Sequence, residues 1–103
     1  MIDLAPPYLE KVRSILSEYV PGCEVRAFGS RLTGTARHYS DLDLAVASAV
    51  KLSDDTLRHL KEAFEESDLP FRVDVLDWHT ISPEFQRIIE KQYDVIQEPK
   101  PTS

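Results

Sequence analysis

The sequence has a single cysteine, no long apolar run and no excess of positive charge, and each of these shortfalls removes a class of protein. Cys23 alone forms no internal disulfide, and no Cys/His cluster has zinc-ligand spacing, so it reads as an isolated small apolar residue. No apolar run approaches the roughly 18 residues of a membrane span, which argues against a membrane partner. The N-terminus lacks the basic and apolar regions of a signal peptide, and a cytoplasmic protein is expected. A net charge of −6 and a pI near 4.9 argue against a broad nucleic-acid-binding surface. There is no internal repeat, and only the segment 98–103, with two prolines, reads as a loose tail. With 103 residues the chain has room for one core, so a single domain over residues 1–97 is expected.

What is present is an alternation of helical and extended patterns. Pro6 and Pro7 suit the entry of a helix in which Leu9, Val12, Ile15, Leu16 and Tyr19 share one side, and Pro21-Gly22 ends it. Residues 23–28 alternate as a strand that stops at Gly29-Ser30, and residues 31–36 suit a short helix. A second strand is expected over 41–47. Ser53 then caps a helix carrying Leu57, Leu60, Ala63 and Phe64, with Asp54 and Asp55 in its first turn. A crossover of this length is what a parallel pairing or a strand insertion needs. A third strand over 71–76, a helix capped by Ser82 with Pro83 at its first position, and a short strand over 94–97 complete the chain.

The chemistry gathers in three places. In Asp-Leu-Asp-Leu-Ala-Val, period two puts Asp41 and Asp43 on one face and Leu42, Leu44 and Val46 on the other. Two carboxylates roughly 7 Å apart along a strand can converge on a divalent cation, and hard oxygen ligands suit Mg²⁺ or Mn²⁺. Gly29 lets backbone approach an anion without a Cβ in the way, and the Ser30 hydroxyl can donate to a phosphate. Asp74 lies mid-strand between Val73 and Val75, where an acid needs a counter-charge, a donor or a cation, and it reads as a third ligand.

Arg31 and Arg37 suit phosphate contact or an ordinary surface role. His38 and Tyr39 read as pocket or solvated loop, and Trp78 as core or a partner-facing aromatic. Asp77, of opposite strand parity to Asp74, is expected to cap the turn that follows it.

Gly29-Ser30, a gap of ten residues, Asp41-Leu42-Asp43 and the downstream strand acid in Val73-Asp74-Val75-Leu76-Asp77-Trp78 together resemble the minimal nucleotidyltransferases, or MNT proteins, of the DNA polymerase β superfamily. The resemblance runs from Phe28 to about Ile96. It implies an α/β chain of the α+β kind, with a small mixed β-sheet backed by helices. It also implies ATP as substrate, two divalent ions and transfer of a nucleoside monophosphate with loss of pyrophosphate. In that scheme Asp41, Asp43 and Asp74 hold the metal, and Gly29, Ser30 and Arg31 hold the nucleotide. Many members lie beside a small all-helical protein, including the HEPN type, and resemble antitoxins that adenylylate it. So short a chain leaves little surface for base and acceptor, which points to a homodimer mate or a second protein. Neutralising a partner by covering it, and modifying a small molecule as the aminoglycoside nucleotidyltransferases do, are the competing readings.

Overall fold

In the computed structural model, which describes residues 2–33 and 41–100, four strands form one sheet in the order β3-β2-β1-β4. The elements run α1 (Pro6–Tyr19), β1 (Glu24–Phe28), α2 (Ser30–Thr33), β2 (Leu42–Ala47), α3 (Asp54–Glu66), β3 (Val73–Asp77), a single 3₁₀ turn (Trp78–Thr80), α4 (Pro83–Lys91) and β4 (Asp94–Gln97). β1 lies antiparallel to both β2 and β4, whereas β2 and β3 are parallel. Parallel neighbours need a long connection, and α3 supplies it.

Helices α1 and α3 cover one face of the sheet. Val12 and Leu16 from α1, and Leu60 and Phe64 from α3, pack on Val25, Ala27, Leu42, Leu44, Val46, Val75 and Ile96. Leu9 and Ile15 of the α1 stripe and Leu57 of the α3 stripe pack alongside them, whereas Tyr19, expected on the same stripe as Leu9, is exposed at the helix end. Ser53 caps α3 by accepting from Thr56 N at 3.1 Å. Gly22 ends α1 with φ of +80°, a conformation that costs glycine little. The opposite face carries a smaller apolar cluster of Phe28, Ala45 and Ile89, joined by Leu76, Trp78 and Ile81 beneath α4. Beside it Arg26 lies 4.7 Å from the Trp78 ring and 4.8 Å from the Tyr93 ring, and pairs with Glu24.

Several boundaries differ from expectation. The second strand begins at Leu42, whose amide donates to Arg72 O at 2.9 Å, so Asp41 stands exposed at the strand entry. The third begins at Val73 and extends to Asp77. The described part of the expected tail is docked, with Lys100 N donating to Gly22 O at 3.2 Å. The expected short helix is present over Ser30–Thr33, and its continuation, like Arg37, His38 and Tyr39, lies outside the described residues. Asp77 caps as its parity suggested: buried beneath the sheet, it accepts from His79 N at 3.0 Å and from Leu52 N at 2.9 Å.

Candidate active site

Sheet register brings the acids together. Phe28 of β1 lies opposite Asp43 of β2, and Asp43 lies opposite Asp74 of β3, so the three form one row across the sheet. Alternation puts this row on the face away from α1 and α3, next to Ala45 and Leu76 of the α4 cluster. Asp41 precedes the row by two residues on the same strand parity.

Gly29 sits at the end of β1 with φ of +86°, and a Cβ there would collide with Oδ2 of Asp43. The anion that this glycine admits is therefore the protein's own carboxylate, which is folded in against the turn. Ser30 opens α2 directly after it.

Burial, then the charge of Asp74, then that of Asp41, pushes the Asp43 carboxyl above the ordinary carboxylate value of 3.8. Like charges disfavour ionisation of a neighbour, and this adds to the larger effect of burial. Among the described residues no three His, Cys, Asp or Glu side chains close on one point as a finished metal site. The donor chemistry nonetheless fits a hard divalent cation: two carboxylates side by side and a third at the strand entry supply only oxygen ligands. Cys23 is remote from this chemistry, and burial raises its thiol, which keeps it protonated.

A cavity of about 600 Å³ opens on the acid row, with Asp43, Asp74, Arg72, Phe28, Leu76 and Phe85 among its lining residues. Phe28 and Phe85 meet edge to face at 5.8 Å, forming an aromatic wall.

Arg72 was given no role at the site by the sequence reading. Its Nε lies 3.1 Å from Asp74 Oδ1, which answers the need of that strand acid for a counter-charge. In the strand expected over 71–76, positions 72 and 74 share one face, although the strand itself begins at Val73.

Arg31, expected at the nucleotide, has contacts on the N-terminal lead and on Phe71. It is 6% exposed, its Nη1 donates to Asp3 O at 2.9 Å, and its guanidinium lies 4.5 Å above the Phe71 ring. Its own carbonyl accepts from Asp3 N at 2.7 Å. A planar cation buried on an aromatic ring and paired with backbone holds the N-terminal lead against the turn.

A mixed sheet that carries an acid row beside a Gly-Ser turn is what the resemblance to nucleotidyltransferases of the polymerase β type implies. The chain matches the polymerase beta nucleotidyltransferase family over residues 10–102, and it belongs to that family. Among curated proteins it is 52% identical, over 98% of its own length and 89% of the relative's, to the probable protein adenylyltransferase MntA of Haemophilus influenzae. Among solved structures it is similar to a chain of a toxin–antitoxin complex with AMP-PNP, with a TM-score of 0.74 and 25% identity over 89% of this chain and 74% of that one. A second complex, of a tri-AMPylated HEPN toxin with an MNT antitoxin from Shewanella oneidensis, aligns with a TM-score of 0.66. At 23% identity over 87% of this chain and 69% of that one, it speaks for the fold alone.

Proposed function

We propose that this protein transfers AMP from ATP to a hydroxyl, a tyrosine being the preferred acceptor, on a helical HEPN-type partner protein, and so acts in the cytoplasm as an antitoxin by adenylylation. The observation that carries the reading is the 52% identity to a probable protein adenylyltransferase, sustained over nearly the whole of both chains. The row formed by Asp43 and Asp74 supports it with chemistry of the right kind.

In the proposed reaction the acceptor oxygen bonds to the α-phosphorus, the bond to pyrophosphate breaks, and the hydroxyl proton is lost. Two divalent ions, Mg²⁺ being preferred, would supply activation of the hydroxyl and charge neutralisation at the leaving group. Asp41 and Asp43 would hold both ions, and Asp74 the one on the acceptor side. Gly29 keeps the backbone clear so that Asp43 can stand against the turn, and Ser30 would donate to a terminal phosphate. Preorganised donors and charges of this kind act mainly on the transition state. The edge-to-face pair of Phe28 and Phe85 gives one side of the cavity an apolar wall.

The test uses the protein with its HEPN-type partner, a divalent cation and ATP labelled in the α position. Label should appear on a partner hydroxyl, and Asp43→Asn should reduce labelling by at least about a thousandfold, since metal assistance contributes several kcal/mol. A second reading, neutralisation by covering, is favoured by one observation: the similar solved structure with AMP-PNP is itself a toxin–antitoxin complex. A partner that is fully inhibited yet unmodified in mass would replace transfer by covering.

A further inference from the structure

The pair formed by Arg72 and Asp74 is out of place as a stabilising contact. Both side chains are wet, 76% and 38% exposed, and exposed ion pairs contribute little to folding. The base of Arg72 is nevertheless fixed, because its carbonyl accepts from Leu42 N at 2.9 Å at the very entry of β2. A tethered backbone with a solvated head lets the guanidinium pivot without disturbing the strand. Arg72 and Asp74 line the same cavity as Asp43, whose carboxyl already feels the charge of two other acids.

We propose that Arg72 is an exchangeable counter-ion: in the free protein it holds Asp74, and when nucleotide and cation arrive together it passes to a phosphate oxygen while Asp74 turns to the cation. This deepens the function proposed above and rests on that reading of the carboxylates. Competition makes the site discriminating. A cation that arrives alone must displace a guanidinium and leave it unpaired. A cation that arrives with a polyphosphate brings the replacement partner with it, and phosphate oxygens match the guanidinium donor fork. Arg72 thereby favours the loaded nucleotide over the bare ion.

The test compares the wild-type chain with Arg72→Gln and Arg72→Lys by calorimetry, first with Mn²⁺ alone and then with AMP-PNP at saturating Mn²⁺. Arg72→Gln should bind Mn²⁺ about fivefold more tightly, the size expected for removing one unit charge a few ångströms from the ligand in a wet cleft. The same variant should bind the nucleotide analogue about tenfold more weakly, because a charge-assisted contact to phosphate is lost. Arg72→Lys should lie close to wild type in both titrations, and the unfolding midpoint of all three should agree. A purely structural arginine would not shift the two affinities in opposite directions. Unchanged or weaker Mn²⁺ binding by Arg72→Gln, with wild type binding normally, overturns the exchange and leaves the carboxylate reading standing. A wild-type chain that binds no Mn²⁺ overturns both.

Discussion

The two faces of β2 are built on opposite rules. Leu42, Leu44 and Val46 point into the layer under α1 and α3, where each is 0% exposed and belongs to the larger apolar cluster. One residue out of step, Asp43 and Ala45 face the other way, toward an acid row and a cluster of three buried residues. The first face is packed for stability. The second sets a partly buried acid beside two others, a state that costs free energy until something positive relieves it. Within one strand of six residues, adjacent positions should therefore answer substitution with opposite signs.

The sharpest way to break this contrast is at Leu44. Leu44→Ala leaves a cavity in the dry face and should cost about 2–5 kcal/mol, measured by urea unfolding. Asp43→Asn, its neighbour, should leave the cation-free protein as stable as before or more so. A loss at Asp43 comparable to that at Leu44 would remove the division of labour between the faces.

A smaller effect joins the two faces at the turn. Gly29→Ala puts a side chain at positive φ and against the Asp43 carboxylate, and should cost about 1–3 kcal/mol. Part of that cost belongs to the collision alone. In an Asp43→Ala background the penalty should shrink to that of the backbone, and a double-mutant cycle measures the difference. An undiminished penalty would mean that the turn, and not the carboxylate, demands glycine.

The smallest effect is in pH. The carboxyl of Asp43 is raised in the folded state relative to its value of 3.8 in the unfolded chain, so the fold binds its proton more tightly. Its contribution is fully present below that value and is lost as pH rises through the higher folded one. The cation-free protein should thus gain more from Asp43→Asn near neutrality than near pH 4, as read from paired thermal melts. A gap that does not widen with pH would place Asp43 outside the range of its acid neighbours.

Much of this was legible in the chain. Period-two alternation put Asp74 and Asp77 on opposite faces, and Asp77 is accordingly a buried cap while Asp74 lines the cavity. Helix stripes and the Ser53 and Ser82 caps were equally plain, because capping and amphipathicity are local. Register was not legible: that Asp43 stands opposite Asp74 depends on how α3 returns the chain. The course of the Arg31 side chain was not legible for the same kind of reason. Following a Gly-Ser turn says nothing of where a long side chain goes, and its partners, Asp3 and Phe71, are distant in sequence. Ile2 N, donating to Asp94 Oδ2 at 3.1 Å, shows the same long-range stitching of the N-terminal lead.

The parallel pairing of β2 with β3 also has a consequence for timing during synthesis. Asp41 and Asp43 emerge from the ribosome well before Asp74, with the whole of α3 between them. Non-local contacts repay their loop-closure entropy only once the connection has been made in full. A nascent chain that ends within α3 carries the Gly-Ser turn and the first two acids, yet should hold a cation no better than an isolated Asp-x-Asp peptide. On the function proposed above, competence would begin at one late moment, when β3 slots in beside β2.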